Sequence, residues 1–371
     1  MPDQPALIVV GASARSLAAS AARAGFAPLA IDVFGDSDTR ALSAASIVLE
    51  GGLAHGLNEA ALIRAIDAML EAFRPIGIVY CGFDDRPDLI AAMGRRARVI
   101  GNRSATMARA KNPWSLARLC AECAVLHPQI AARAPSDPAG WLVKKRGGSG
   151  GAHIHDATLD DRGAPGHYFQ RRISGEGCSA LFAADGESAE IIGLSAQWTA
   201  PTRLQPFRYG GAVGPIRLPP AQTQKIAHAI RSLTPRLGLV GLNSADFIVD
   251  GEAVWLLEIN ARLGATLDVF DSFDGGLTKR HIAACEGRLT PHAPAGPIKA
   301  AAIVYAPGDI VVRDSVGWPA WAADRSMSGI RISSGEPLCT VFATGPTVDL
   351  ARSCVAERAR SIVALMGAAA A

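Results

Sequence analysis

Short apolar runs alternate with longer amphipathic stretches over the first hundred residues of the chain. The short runs predict buried strands, and the stretches with a helical period predict helices. The predicted strands are 6–10, 28–33, 77–80 and 98–100, and the predicted helices are 13–24 and 58–73. Strands separated by helices pair in parallel, so this part of the chain is expected to be a doubly wound α/β domain that ends near Gly101.

Farther along, several predicted strands follow one another without an intervening helix. Strands are expected at 141–144, 152–155, 178–184, 191–198, 246–249, 255–262, 300–305 and 338–343. Helices are expected at 113–124, at 221–237 and at 348–366, where Thr347 provides an N-cap. The glycine-rich segment 206–215 is either a lid or a plain connector, and its charged and aromatic residues favour a lid.

Two of these strands form a predicted hairpin with one polar face, in which residues 246–249 join residues 255–262 through a glycine-containing turn. Side chains alternate along a strand, so Glu258, Asn260 and Arg262 share one face while Leu257 and Ile259 face the core. If the loop has an odd number of residues, Asp246 lies on the same face. Two carboxylates and an amide are the hard oxygen ligands that Mg²⁺ takes beside a nucleotide.

A second informative segment follows Lys144, which ends a predicted strand. The segment is a glycine loop made of Gly147, Gly148, Ser149, Gly150 and Gly151. Exposed N–H groups on such a loop cradle phosphate oxygens, and a lysine adds positive charge. The GK[ST] sequence that opens the helix of a P-loop is absent, so any phosphate site here is of another kind.

Charge and cysteine use exclude several functions. The net charge is only +3 and no basic run is mixed with aromatic residues, so nucleic-acid binding is not expected. Seven scattered cysteines fit reduced thiols rather than a disulfide framework. The N-terminus opens directly into a strand and no long apolar span follows, so we expect a cytoplasmic protein without membrane association.

The first turn of the leading domain differs from that of a dinucleotide-binding domain. Residues 11–16 lack the second and third glycines of GxGxxG, which disfavours a dehydrogenase. Loops at the carboxyl ends of the strands still form a crevice, so Ser13, Arg15 and Asp84 are expected to touch a substrate. The alternative for Asp84 is that it caps the helix that follows.

The order of these features resembles the ATP-grasp superfamily. Residues 258–262, Glu-Ile-Asn-Ala-Arg, are close to its EINPR motif. The resemblance implies an α/β fold in which a Rossmann-like pre-ATP-grasp domain over 1–103 precedes an ATP-grasp domain over 104–295. That domain would have two α+β subdomains with ATP between them, and residues 296–371 would form a C-terminal α/β extension.

The resemblance also implies a role for each matching position. Asp246, Glu258 and Asn260 would hold one or two Mg²⁺ ions, with Mn²⁺ as an alternative, and Arg262 would be the catalytic residue. ATP would be bound by Lys111, Lys144, the glycine loop 147–151, Gln170, Arg172, Ile173 and Glu176. The substrate would contact Arg208, Tyr209, Arg15 and Asp84. Gln170 replaces the acid that commonly meets the adenine amino group in relatives, and its amide oxygen is expected to take over that contact.

Within the superfamily, segments 82–87, 100–102 and 207–211 look most like ATP-dependent carboligases related to biotin carboxylase. Such relatives occur with tetrahydromethanopterin- and methanofuran-type cofactors in one-carbon metabolism. This implies a ligase that joins an amino acid such as glutamate to a small amine through an acyl phosphate. The alternatives are a carboxylase that uses bicarbonate and a non-catalytic ATP-binding regulator; a homodimer is also left open.

Overall fold

The computed structural model describes residues 4–50, 57–161, 163–271, 275–290, 296–314 and 316–368. The leading domain contains β1 (Ala6–Val10), α1 (Arg15–Arg23), β2 (Ala27–Asp32), α2 (Ser37–Leu42), β3 (Ala45–Val48), α3 (Glu59–Ala72), β4 (Ile78–Tyr80) and α4 (Pro87–Gly94). Its strands form a parallel sheet in the order β3-β2-β1-β4. Leu7 and Val9 join one buried cluster and Ile8 and Val10 the other, so both faces of the sheet are covered, as the sequence predicts.

One prediction for this domain needs correction, and two of its elements were not predicted. Helix α2 and strand β3 were not expected; β3 is a short strand at the sheet edge whose residues are only partly buried, so it lacks a continuous apolar run. The predicted strand 98–100 makes only an isolated bridge between Val99 and Ile78.

A small antiparallel sheet follows the two helices α5 (Ser104–Ala110) and α6 (Pro113–Glu122). Its strands are β5 (Ile130–Ala131), β6 (Trp141–Lys145), β7 (His155–Asp156) and β8 (His167–Arg171), in the order β5-β8-β6-β7. Pro113 occupies the first turn of α6, and the Asn112 side chain accepts hydrogen bonds from the next two N–H groups of that turn.

Within the described ranges, the largest sheet has eight antiparallel strands. The remaining elements are β9 (Glu176–Asp185), β10 (Ala189–Thr199), β11 (Tyr209–Gly214), α7 (Pro220–Leu237), β12 (Val240–Asp250), β13 (Ala253–Asn260), α8 (Leu267–Phe270), α9 (Gly276–Cys285), β14 (Ile298–Tyr305), β15 (Ile310–Val311), β16 (Ala322–Ala323), β17 (Arg331–Ile332), β18 (Pro337–Gly345) and α10 (Val348–Ala368). The sheet order is β13-β12-β9-β10-β11-β14-β18-β16, and β15 pairs with β17. The Thr347 hydroxyl accepts from the Leu350 N–H, so it is the predicted cap of α10.

The segment expected to be a lid is instead an inner strand of this sheet. Strand β11 lies between β10 and β14. A Cβ atom at Gly211 would lie 2.3 Å from the Trp198 ring, and one at Gly210 would lie 2.8 Å from it. The glycines therefore serve close packing in a strand rather than mobility, which composition alone does not distinguish.

The pairing of β11 with β14 carries the large sheet across position 296, where the sequence analysis divides the chain. That division stays a prediction. Within the described ranges, no helix is both long enough and apolar enough to span a bilayer.

Candidate active site

Strands β12 and β13 bring the predicted metal ligands together by means of a bulge. Their turn consists of residues 251–252, so the odd loop required by the sequence argument is not formed. An extra residue in β13, Leu257, shifts the register, and Asp246 pairs with Glu258. Leu257 was predicted to face the core together with Ile259. It lines the cavity beside Glu258 instead, whereas Ile259 is buried.

The ammonium group of Lys111 joins these polar side chains. Its Nζ donates to Asn260 Oδ1 at 2.6 Å and lies 3.3 Å from Glu258 Oε2. Asn260 Nδ2 in turn donates to Asp246 Oδ2 at 2.8 Å, and Gln197 Nε2 donates to the other oxygen of Asp246 at 3.3 Å. Lys111, Asp246, Glu258 and Asn260, which come from two parts of the sequence, therefore form one polar cluster.

The two carboxylates of this cluster titrate in opposite directions. Burial, followed by the charge of Glu258, raises the pKa of Asp246. Burial acts in the same way on Glu258, but Lys111 and Lys144 outweigh it and lower the pKa of Glu258. A cation between the two strands would relieve the repulsion that Asp246 experiences, so the donor set fits Mg²⁺.

Among the described residues, no group of three or more His, Cys, Asp or Glu side chains could hold a metal ion. A bound Mg²⁺ would therefore need the amide oxygen of Asn260, together with water and nucleotide phosphates, in addition to Asp246 and Glu258.

Asp84 connects the leading domain to this cluster. One of its oxygens lies 2.9 Å from Lys111 Nζ, and the other accepts from Arg262 Nε at 2.8 Å. Burial favours the neutral acid, but the charges of Arg262 and Lys111 hold the pKa of Asp84 well below its ordinary value. Asp84 is thus occupied by two cations and positions them, whereas the sequence analysis assigned it to the substrate.

Lys144 and Gln170 face each other across β6 and β8. Lys144 Nζ donates to Gln170 Oε1 at 3.1 Å, and burial lowers the pKa of Lys144 despite the opposing charge of Glu258. The amide nitrogen of Gln170 is buried and has no hydrogen-bond partner within the described ranges. In this arrangement Gln170 presents a donor, because its oxygen, which was expected to meet the adenine amino group, is bound to Lys144.

The glycine loop lies closed over the cleft. Gly147 has a φ of +68°, and a Cβ atom there would lie 2.6 Å from the carbonyl oxygen of Asp84. Gly151 has a φ of +71°, and a Cβ atom there would overlap the carbonyl group of Phe207. The Tyr209 N–H donates to the carbonyl oxygen of Gly150 at 2.8 Å. The cavity between the loop, Lys111, Lys144 and Glu258 measures only about 20 Å³, so the loop must move before a nucleotide can enter.

Seven predicted ATP contacts do not line this cavity, namely Ser149, Gly150, Gly151, Gln170, Arg172, Ile173 and Glu176, and the last three belong to the connection before β9 or to its first residue. Arg172 is exposed, pairs with Asp156 at 3.1 Å and stacks over Phe207. Glu176 is exposed at the first residue of β9, and Ile173 lies in the connection before it. None of the three lines the cavity beside Lys144, and their roles stay predictions.

Arg208 is held by other parts of the protein. Its guanidinium group donates to the carbonyl oxygens of Ala200 and Gly335, each at 3.0 Å, and stacks 3.6 Å from the centre of the Tyr305 ring. This arrangement leaves the side chain engaged in packing β11 against the C-terminal strands, and its contact with a substrate stays a prediction.

A larger cavity of about 360 Å³ lies on the other side of Arg262. The leading domain, the loop after β13 and the C-terminal strands all contribute to its wall. Its charged and polar lining residues include Ser13, Arg15, Asp36, Tyr209, Arg262, Asp268 and Asp324. Ser13, Arg15, Tyr209 and Arg262 were predicted from the sequence as site residues, whereas the three aspartates were not.

Comparisons with known proteins agree with this architecture. Residues 110–266 match the family described as ATP-grasp domain. No curated protein matches the chain significantly by sequence.

Solved structures match almost the whole chain at low sequence identity. The biotin carboxylase domain of Hydrogenobacter thermophilus 2-oxoglutarate carboxylase, solved with MgADP and bicarbonate, has a TM-score of 0.69 at 13% identity, over 94% of this chain and 88% of that one. An L-amino acid ligase from Bacillus licheniformis has a TM-score of 0.68 at 12% identity, over 96% and 97%. Phosphoribosylamine–glycine ligase from Thermotoga maritima has a TM-score of 0.67 at 14% identity, over 95% of each chain.

Lys111, Lys144, Asp246, Glu258 and Asn260 lie around one cleft between the small and the large sheet. Residues 110–266 match the ATP-grasp domain family, and almost the whole chain shares the fold of the solved structures named above.

Proposed function

We propose that the protein is an ATP-dependent carboxylate–amine ligase that joins an amino acid such as glutamate to a small amine in cofactor biosynthesis. One observation carries the proposal. Arg262 lines the cavity of about 360 Å³, while Glu258 and Asn260, which precede it in the same segment, face the cleft that contains Lys111. A phosphoryl donor on one side and an acceptor on the other would meet at Arg262.

Each cation of the cleft has a distinct part in this proposal. Lys144, whose pKa is lowered by burial, gains an anionic partner when phosphate binds beside it. Lys111 lies against the oxygens that would hold the metal, so it neutralises phosphate charge at the same place. When bound, MgATP supplies the phosphoryl group that activates a substrate carboxylate.

Arg262 would stabilise negative charge on the substrate side. Its guanidinium stays charged because Asp84, despite burial, raises its pKa. We propose that it binds the acyl phosphate and then the oxyanion that forms when the amine attacks. The attack forms the C–N bond, releases inorganic phosphate and leaves one amine proton to be removed.

The larger cavity favours amide formation over carboxylation by bicarbonate. A volume of about 360 Å³ exceeds what bicarbonate needs, and the Asp36 carboxyl group in its wall suits an amine rather than an anion. The alternative stays relevant because one similar structure is a carboxylase domain solved with bicarbonate. A non-catalytic regulator is disfavoured, since the polar cluster around Lys111 is intact.

The test is to incubate the full-length protein with MgATP and an array of amino acids, including glutamate, and amines. Phosphate release and product mass would be followed, with one series containing bicarbonate alone. We expect phosphate release that requires both a carboxylate and an amine. Hydroxylamine added in place of the amine should trap the acyl phosphate as a hydroxamate. Turnover supported by bicarbonate alone would contradict the proposal.

Glu258→Gln tests the link between this activity and the cleft. Loss of the carboxylate removes a metal oxygen and the partner of Lys111, so turnover should fall on the order of 100-fold or more. The matched control is Glu252→Gln in the exposed hairpin turn, which should leave turnover within about twofold of wild type. Near-normal activity in Glu258→Gln would remove the metal assignment.

The H. thermophilus domain was crystallised as a dimer, and we propose a homodimer here as well. Light scattering on the eluted protein would check this, and a monomer mass at working concentration would reject it.

A further inference from the structure

The wall of the cavity of about 360 Å³ has more carboxyl groups than cations to pair with them. Asp36, Asp268 and Asp324 line it, together with Arg15 and Arg262. Arg262 is already paired with Asp84, which lies outside the lining. Arg15 is thus the one lining guanidinium group left for three carboxyl groups among the described residues.

Arg15 is paired with two of these carboxylates. It makes two hydrogen bonds to Asp268, at 2.6 and 2.7 Å, and two to Asp324, at 3.1 and 3.0 Å. The Ser13 hydroxyl adds a further hydrogen bond to Asp324 at 2.9 Å. This network holds the first turn of α1 to α8 and to the segment after β16, so Asp268 and Asp324 have clear structural partners.

Asp36 has no such partner. Its side chain is 2% exposed, lines the cavity, and makes no capping hydrogen bond to α2. No donor or cation within the described ranges binds its carboxylate. Burial, followed by the charges of Asp324, Asp38 and Asp32, raises the pKa of Asp36 to about 8, and Arg15 acts weakly in the opposite direction. A buried carboxylate without a donor is costly, and a bound cation would offset that cost.

An organic cation fits this place better than a metal ion. Among the described residues, no cluster of His, Cys, Asp and Glu side chains could hold a metal, and Asp268 and Asp324 are already taken by Arg15. Much of the remaining wall is apolar and includes Phe34, Leu263, Ala301 and Leu338. An ammonium group at the end of a short carbon chain matches one free carboxylate beside an apolar surface.

An ammonium nitrogen cannot attack an acyl phosphate, because it has no free electron pair. The nitrogen held by Asp36 must therefore differ from the nitrogen that reacts near Arg262. We propose that the amine substrate carries two amino groups, of which one stays protonated against Asp36 while the other is acylated. The substrate class is thus a diamine or a basic amino acid; the inference rests on the proposed ligase function and specifies its acceptor.

The test measures binding to the full-length protein by titration calorimetry, so that it does not depend on turnover. The probes are 1,4-diaminobutane, n-butylamine and butyrate, each with and without MgATP. We expect the diamine to bind at least about 10-fold more tightly than the monoamine, because the second ammonium gains a charge-assisted hydrogen bond. Butyrate should not bind in the range that saturates the diamine.

Asp36→Asn should reduce the preference for the diamine to about twofold or less, since it removes the charge with little change of shape. The matched control, Asp160→Asn, changes an exposed loop residue and should keep the preference. Titrations at pH 7.5 in buffers of different ionisation enthalpy add a second measurement. Diamine binding should release protons from the wild type, because a cation makes Asp36 ionise, and this release should disappear in Asp36→Asn.

Equal binding of monoamine and diamine to the wild type would overturn the inference, and so would a preference that Asp36→Asn leaves intact. Competition by Mg²⁺ alone that depends on Asp36 would identify a metal site instead. The two proposals can fail separately. Ligation of an amine with a single amino group would reject only the diamine, while Asp36-dependent diamine binding without ligation of any pair would reject the ligase.

Discussion

Asp84 is the anion that holds Lys111 and Arg262 near each other, and Asp84→Asn tests this electrostatic arrangement. Both of its oxygens lie within 2.9 Å of a cationic nitrogen, and the residue is 4% exposed. Asparagine keeps the shape but removes the charge. Two buried cations then face each other with only Glu258 as a carboxylate partner for Lys111.

The expected cost is about 3–5 kcal/mol in the free energy of unfolding, the range for a buried ion pair that loses one partner. A protein with an unfolding free energy of about 5–15 kcal/mol would remain folded in most of that range. The loss should depend on pH. Because Arg262 and Lys111 outweigh burial and lower the pKa of Asp84, its contribution is present above the unfolded pKa of about 4 and is lost as the pH falls below it.

Urea denaturation at pH 7.5 and at lower pH measures this cost, with fluorescence and circular dichroism as independent probes. Asp85→Asn is the matched control. Asp85 pairs with Lys145 at 3.2 Å, but both side chains are about half exposed, so the loss should stay below about 1 kcal/mol. The double variant Asp84→Asn/Lys111→Met removes a cation as well, and should recover at least about 1 kcal/mol relative to the sum of the single changes.

A loss below about 1 kcal/mol in Asp84→Asn would refute the reasoning, as would additive effects in the double variant. Either result would mean that solvent or a rearranged Glu258 already compensates Lys111 and Arg262.

Three further predictions concern the other parts of the site. Lys144→Met should weaken ATP binding at least about 10-fold in a fluorescent-nucleotide titration, because it removes a buried cation beside the expected phosphate position; binding within about twofold of wild type would contradict this. In urea denaturation, the unfolding free energy of Asp36→Asn should rise relative to that of the wild type as the pH rises from about 4 to about 8, by roughly 5 kcal/mol at most. The reason is that a carboxyl group with a raised pKa in the folded state contributes stability that is lost as the pH rises. A difference that does not change with pH would contradict this. Gly151→Ala should speed tryptic cleavage after Arg146, because the new Cβ would overlap the Phe207 carbonyl and displace the glycine loop; an unchanged rate would show that the loop is held elsewhere.

Local pattern was sufficient for much of the fold. Strand β1, helix α3 and the capped helix α10 lie within one or two residues of their predicted bounds, because each has an uninterrupted period or a capping residue. Strand β11 was missed because its glycines are explained only by the Trp198 ring that packs on them. A contact with a distant residue leaves no trace in the local period.

In the candidate site as well, neighbouring residues could be predicted from the sequence, whereas contacts between distant residues could not. Glu258, Asn260 and Arg262 are adjacent in sequence, so a motif identifies them. The pairing of Asp246 with Glu258 depends on the bulge at Leu257, which the loop length alone does not indicate. The Asp268 and Asp324 partners of Arg15 lie 253 and 309 residues away along the chain, and no spacing rule connects them.

The leading domain contributes one aspartate to the nucleotide cleft and one to the larger cavity that Arg262 lines. From the loop after β4, Asp84 fixes the cations that face the nucleotide cleft, and from the loop after β2, Asp36 provides the free carboxylate of the larger cavity. Both loops lie at carboxyl ends of strands in one parallel sheet, where this fold class places its ligands. A change that shifts this sheet should therefore alter nucleotide binding and acceptor choice together. A change confined to β12 or β13 should impair turnover while the preference for the acceptor persists.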